Sequence, residues 1–510
     1  NRCLNHRFRD MGLRKSLLFH SLSLVLISVV ASRDTASDFT KKSFPKDFIF
    51  GAGVAAYQSE GYPLANGRGP CIWDNFVKNF PDKIADESTA DVADGFYNRF
   101  SDDIKLAKEL GLDSFRLSIS WSRLFPKGKI GKGLNSVGVQ FYSDVIDEIL
   151  ANGLMPFVTL LHFDPPQALE YEYGGLLSSK IVNDFEEFAD FCFKVFGERV
   201  KHWVTINEPN VIAEFGYDLG LQAPGRCSPY QGDCPAGNSA TEPYIVAHNM
   251  LLCHAAAASL YKEKYQDTQK GQIGITIAAS WYLPIQNTEA NRLAASRALD
   301  FNSGWFLHPL TYGEYPASMK KQVGSRLPKF TREQSKMLKS SFDFLTINYY
   351  SSYYVYSIPS SNGVNVSYTT DGLFSTTGYR NGIAIGAQTA SSFFFVYPVG
   401  LYNLLTYIKK NYKNPELYIT ENGFAGNGSL PLKEAINDGG RISFLKGHLT
   451  YILQAIKDGV KVKGYFVWSF MDVWEWDSGF SVSYGLIHVN FKTLQRTLKA
   501  SALWYKKFLH

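Results

Sequence analysis

Eight short runs rich in β-branched and aromatic residues recur along the 510-residue chain, at positions 48–57, 114–120, 156–162, 202–207, 272–279, 342–349, 417–420 and 462–469. This recurrence restricts the folds open to the chain more than any other feature, because each run reads as a buried strand. Between them lie apolar stripes with helical spacing. Ile104, Ala107 and Leu110 precede Gly111, and Phe141, Val145 and Ile149 precede Gly153. Ile181, Phe185, Phe188 and Cys192 precede Gly197, and Leu445, Leu449, Ile452 and Ile456 precede Gly459. Each stripe stops at a glycine suited to a helix C-terminus. Strands alternating with helices are joined by parallel crossovers, and eight such units close into a barrel. An open doubly wound sheet is the rival. No Gly-x-Gly-x-x-Gly turn follows an early strand, and nearly every run ends on polar residues, which favours an α/β chain with a single (β/α)8 TIM barrel. With 45% hydrophobic and 19% charged residues the chain has ample material for that core. No linker or repeat divides it, so one barrel domain is expected over residues 32–510. Long insertions near 62–98, 209–245 and 351–395 are then loops over the C-terminal face.

Two of the runs deliver a carboxylate. Leu417-Tyr418-Ile419-Thr420 leads into Glu421-Asn422-Gly423, and His202-Trp203-Val204-Thr205-Ile206 leads into Asn207-Glu208-Pro209. Two carboxyl groups facing one pocket can divide the work of glycoside hydrolysis, one attacking and one moving a proton. The other run ends supply Gln58, Arg116, His162, Asn348 with Tyr350, and Trp468 followed by Glu475-Trp476. A pyranose needs donors and acceptors around its hydroxyls and an apolar face beneath its ring, and this set offers both.

These stretches closely resemble family 1 glycoside hydrolases, with the plant β-glucosidases as the nearest group. The resemblance runs from about Phe44 to Leu509. It rests on Thr205 to Pro209, Tyr418 to Gly423, Ala55-Ala56-Tyr57-Gln58, Phe115 to Arg123, Thr159 to Leu169, Asn348-Tyr349-Tyr350 and Trp468-Ser469. It implies that Glu421 is the nucleophile and Glu208 the acid/base of a retaining β-glucosidase that needs no metal or cofactor. Gln58, His162, Asn207, Trp468, Glu475 and Trp476 match the sugar-holding positions, with Tyr350 and Tyr484 also placed against the substrate. Arg116 and Asn348 match positions supporting the nucleophile. Arg116 should favour ionised Glu421 while Glu208 stays protonated, so their surroundings should push the two acidities apart. The retained Glu208 argues against the related thioglucosidases. Several positions depart from the plant pattern: Ser59, Phe163, Pro165, the Phe393-Phe394-Phe395 run, Val473-Trp474 and Ser483-Tyr484. The Phe393 region bears on the aglycone, and Trp474 and Tyr484 leave room for a sugar other than glucose. A disaccharide-specific β-glycosidase is therefore an alternative; a transglucosidase on the same scaffold, in which an acceptor alcohol replaces water, is another, and a non-catalytic carbohydrate-binding protein is more remote.

Arg14 and Lys15 precede an apolar run at 17–30 and then Ala31, which reads as upstream sequence and a secretory signal peptide over residues 1–31. Without it the formal charge falls by four, from +5 to +1, leaving no electrostatic case for nucleic acid or an anionic membrane. In an oxidising compartment Cys227 and Cys234, flanking a short polar loop, are expected to bridge, while Cys192 and Cys253 read as core thiols. No cysteine or histidine spacing indicates zinc. Asn365 and Asn427 head glycosylation sequons. The chain ends without an ER-retention tetrapeptide, which points to the vacuole or cell exterior. The expected partner is a small-molecule β-glycoside, and a homo-oligomer is open.

Overall fold

The computed structural model describes residues 39–339 and 341–510, so the leader expected at 1–31 lies outside the described residues. Eight parallel strands close on themselves: β1 Ile49–Gly53, β2 Ser114–Ser118, β3 Met155–Leu161, β4 His202–Asn207, β5 Gln272–Ala278, β6 Phe344–Asn348, β7 Leu417–Asn422 and β8 Val462–Val467. Closure is made by β1, whose Ile49 lies opposite Gly464 of β8 and whose Gly51 lies opposite Ser114 of β2. Each of the four expected stripes forms a helix between strands: Phe96–Glu109, Ser136–Ala151, Ile181–Phe196 and Gly439–Lys457. The fold is thus the expected (β/α)8 barrel. Some strand limits differ. The first run stops pairing at Gly53, and Ala56–Ser59 turns into a short helix, so Gln58 is delivered by a helix rather than a strand end. The seventh run extends to Asn422 and includes Glu421.

The barrel interior is filled. Phe157, Val204, Phe344, Tyr418 and Phe466, from five strands, form one buried cluster with Ile49 packed against it. The Phe157 ring lies 4.9 Å from Phe466 and 5.4 Å from Tyr418, centroid to centroid. Such layers make a barrel a packed core rather than a pore. Room for the Phe466 ring depends on Gly51, where an added Cβ would meet that ring at 2.4 Å and the Ser114 carbonyl oxygen at 2.8 Å.

Two register shifts decide what stands above this layer. Val204 faces the interior, and Asn207 three residues later must do so too, which strict alternation forbids. Between them β4 carries an extra residue, since Val204 lies opposite Gly274 but Asn207 opposite Thr276. Tyr418 and Glu421 pose the same parity problem on β7. Ile419 pairs with Ile347 and Glu421 with Asn348, one residue of β6 against two of β7. Both irregularities re-aim a side chain into the barrel mouth, a recurrent use of bulges beside functional sites.

The three long insertions follow β1, β4 and β6, so they leave from the C-terminal ends of the strands. The second contains the Cys227–Cys234 disulfide, with Cα atoms 5.5 Å apart, as expected. Among the described residues, Cys71, Cys192 and Cys253 are buried and have no disulfide partner. In the third, Ser352–Ser357 forms a three-stranded sheet with Trp281–Pro284 and Phe374–Thr377.

Candidate active site

At the end of β4 the chain turns sharply. Glu208 adopts φ +45°, ψ 56°, a left-handed conformation rare for a side chain with a Cβ, and Pro209 starts a short helix immediately after it. The turn is held by backbone bonds: Glu208 N donates to the Thr276 carbonyl at 3.0 Å, and Val211 N donates to the Glu208 carbonyl at 2.9 Å. Strain of this kind persists only where the surroundings enforce it. Its result is a glutamate carboxyl standing in the mouth, where Asn348 Nδ2 donates to Oε1 at 2.8 Å.

Glu421 is served differently. Arg116 Nη1 donates to Oε1 and the Tyr350 hydroxyl to Oε2, both at 2.6 Å. The Arg116–Glu421 ion pair is almost wholly buried. Just beyond it an added Cβ on Gly423 would come within 2.2 Å of the Trp468 carbonyl oxygen, so a side chain there displaces either the glutamate loop or the end of β8. Asn207 joins the two halves. Its Oδ1 accepts from Arg116 Nη2 at 2.6 Å and from Asn348 Nδ2 at 3.2 Å. That fixes the amide so that Nδ2 faces His162 Nε2 at 3.2 Å, making this nitrogen the acceptor and leaving the ring proton on Nδ1. The His162 pKa is driven well down by burial and then by the Arg116 charge, so the imidazole is neutral.

The two carboxyls share one pocket under unequal conditions. Glu208 is raised above the ordinary 4.5, first by burial and next by the charge of Glu421, with the Asn348 bond and Arg116 offsetting only part. Among the described residues no cation pairs directly with it. Glu421, in contrast, sits against a guanidinium. A proton-holding acid and a paired carboxylate in one site are the arrangement for cleaving an acetal by acid assistance and nucleophilic attack.

Across the mouth Gln58 Nε2 donates to the Trp474 carbonyl at 2.9 Å and to Glu475 Oε2 at 3.0 Å. Burial, then Glu421, raises the Glu475 pKa well above normal. Among the described residues, Gln58 Oε1, His162 Nδ1 and Glu475 Oε1 are buried without a hydrogen-bond partner. Three orphaned polar atoms in one site are costly unless a polar ligand completes them. Aromatic rings frame them. The His162 ring is stacked near Trp468 at 5.9 Å and near Trp476 at 6.0 Å, and Phe163 packs on Trp476 at 4.9 Å. Tyr484 meets Tyr350 edge-on at 5.9 Å.

The expected constellation therefore assembles in one place: Gln58, Arg116, His162, Asn207, Glu208, Asn348, Tyr350, Glu421, Trp468, Glu475, Trp476 and Tyr484. Asn365 and Asn427 are exposed. Sequence reading missed the contribution of Thr420, whose hydroxyl donates to Asn348 Oδ1 at 2.8 Å and so orients the amide shared by Asn207 and Glu208. It also left open which phenylalanine of 393–395 faces the site. Phe394 stacks on Tyr350 at 5.2 Å, Phe395 is buried, and Phe393 is 68% exposed. Among the described residues no cluster of three or more His, Cys, Asp or Glu is placed to hold a metal ion.

Comparison with known proteins agrees with this geometry. The family model described as glycosyl hydrolase family 1 matches residues 40–510. β-Glucosidase 17 of Arabidopsis thaliana is 51% identical over 93% of this chain and 92% of its own length. An isoflavonoid 7-O-β-apiosyl-glucoside β-glycosidase of Dalbergia nigrescens is 49% identical over 92% of this chain and 86% of its own. Among solved structures, a mutant of rice Os3BGlu6 β-glucosidase in a covalent complex with glucose superposes with a TM-score of 0.91 at 44% identity, covering 92% of this chain and all of that one.

Proposed function

The chain belongs to glycosyl hydrolase family 1, and from that membership we propose that Glu421 and Glu208 divide the chemistry of a retaining β-glucosidase acting on a small glycoside. Glu421 attacks the anomeric carbon while Glu208 gives its proton to the leaving oxygen. The glycosidic bond breaks and a glucosyl ester forms on Glu421. Water then enters, Glu208 takes its proton, and β-glucose leaves. Gln58, His162, Asn207, Glu475, Trp468 and Trp476 hold the sugar, Tyr350 and Tyr484 border it, and Arg116 and Asn348 keep the nucleophile in place. The observation that carries this reading is the contrast between two buried carboxyls, one receiving a guanidinium and a phenol, the other a single amide. Phe394 stacked on Tyr350 gives the leaving group an apolar wall, which favours an apolar aglycone. Among the described residues no helix is long and apolar enough to cross a membrane. We place the enzyme in the secretory pathway, in the vacuole or outside the cell, with glycans at Asn365 and Asn427.

The test is product analysis on a panel of aryl and plant-type β-glucosides, including glucosides extended by a pentose, with and without added alcohols. β-Glucose as the first-formed anomer supports the reading, and α-glucose overturns it. Glu421→Ala removes turnover. Glu208→Gln slows activated aryl glucosides by roughly a hundredfold or more, the usual worth of acid–base assistance. Variants as fast as the parent would remove these two residues from the mechanism. Glucosyl transfer to alcohol with little free glucose would make the enzyme a transglucosidase.

A further inference from the structure

Glu475, Trp476 and Tyr484 all sit on the segment between β8 and the hairpin Ile487–Asn490/Gln495–Leu498, a stretch with almost no regular structure of its own. A loop that must place a carboxyl and an indole against a ligand needs support from beneath. The support is a cage of four charges, three of them buried and the fourth, Asp438, partly so. Lys499, immediately before the last helix Ala500–Leu509, is fully buried; its Nζ donates to Asp472 Oδ1 at 2.7 Å and to Ser483 Oγ at 2.9 Å. Asp472 also accepts from Gly485 N at 3.0 Å, and its other oxygen lies 3.4 Å from His488 Nδ1. One carboxylate thus ties together residues on both sides of the loop. Beside it the buried Arg441 donates from Nη1 to the Tyr484 carbonyl at 2.7 Å and from Nη2 to the Ser483 carbonyl at 3.0 Å. Arg441 is itself held by Asp438, which accepts from Ser501 N at 2.8 Å.

None of these groups contacts Glu208 or Glu421, and a buried ion pair is weak evidence for stability alone, because desolvation opposes its attraction. What such a pair supplies is a defined geometry. We propose that Lys499 and Asp472, with Arg441 beside them, are positioning residues that set the placement of Glu475, Trp476 and Tyr484, so that the start of the C-terminal helix governs how tightly the sugar is held. This rests on the sugar-holding role proposed above for Glu475.

The experiment uses the full chain and the double variant Lys499→Met/Asp472→Asn, which removes both charges together and leaves no unpaired ion, while the amide oxygen still accepts from Gly485 N. Glucose as a competitive inhibitor reports the sugar subsite, and an aryl glucoside with a good leaving group reports the chemistry. The expected result is glucose inhibition weakened about tenfold and KM raised in parallel, with kcat within about threefold of the parent. In a Glu475→Gln background the same double change should weaken glucose inhibition by clearly less than tenfold, because the part of the route that runs through Glu475 is already cut and only the parts through Trp476 and Tyr484 remain. If the double variant binds glucose like the parent while Glu475→Gln binds it poorly, the cage is only structural and the proposal fails. If Glu475→Gln itself binds glucose normally, the sugar-holding role of Glu475 fails, and this proposal with it. Should the double variant not fold, Ser483→Ala, which removes one Lys499 contact, gives the same ordering with a smaller shift, and an unchanged inhibition constant there overturns the proposal.

Discussion

The acidity of Glu208 ties a single residue to a measurable profile. Its carboxyl is raised by burial and by the neighbouring Glu421 charge, so it still holds its proton at pH values where a free glutamate, at 4.5, has lost it. As pH rises through the raised value the proton is lost and kcat/KM for glucosides with poor leaving groups falls. Glu208→Gln should therefore be slow but should lack that alkaline limb, which a pH series on both proteins reads directly. Tyr350→Phe removes one of the two donors on Glu421 while keeping the ring that Phe394 stacks on. A hydrogen bond to a charged group is worth about 1.5–3 kcal/mol, so kcat/KM should fall roughly ten- to hundredfold with little change in melting temperature. Gly423→Ala tests space rather than charge. With the Trp468 carbonyl oxygen 2.2 Å from where its Cβ would stand, the methyl group displaces either the glutamate loop or the end of β8, and activity should fall by far more than stability.

At the scale of elements, much of the architecture was legible. The eight runs, their helical stripes and the glycines closing them were read from residue spacing alone, because burying one face imposes a period of about two or 3.6 on any sequence. The Cys227–Cys234 bridge was legible for a simpler reason: two cysteines across a short polar loop have few other partners within reach. Replacing both with serine should cost about 2–3 kcal/mol, the loop entropy of so short a ring, and lower the melting temperature without changing the active-site pH profile. The departures have physical causes too. Gln58 arrives on a helix because the chain leaves the sheet at Gly53, and an apolar run does not announce where pairing stops. The bulges on β4 and β7 left their trace as an odd interval, three residues from Val204 to Asn207 and three from Tyr418 to Glu421. Only knowledge that both ends of each interval point inward turns that oddness into a prediction. Lys499 was invisible, since nothing in its neighbours marks a lysine as buried when its partner, Asp472, is remote in sequence. Gly51 gives the element-scale control: Gly51→Ala pushes a methyl group against Phe466 and should destabilise by about 1–3 kcal/mol through overpacking, leaving KM nearly unchanged.

At the scale of the whole molecule, the exposed sequon asparagines 365 and 427 predict a product from a secretory host that is heavier than the chain itself and loses the excess on enzymatic deglycosylation. Asn365→Gln and Asn427→Gln should each remove one step of that excess while leaving kcat/KM unchanged, as both are exposed whereas the carboxyl pair is buried. Barrel closure has a further consequence. β1 is hydrogen-bonded to β8, and Gln58, which follows β1, meets Glu475, which follows β8, although more than four hundred residues separate them. A ribosome making this chain delivers β1 early and must hold its bare edge until Val462–Val467 has emerged. Throughout that interval the nascent chain carries unpaired strand edges and an unfilled apolar interior, the two features that recruit chaperones and seed aggregation. If Lys499 sets the sugar subsite, the last helix must follow as well, and a polypeptide released before Ala500–Leu509 had emerged would contain both glutamates and yet hold its sugar weakly.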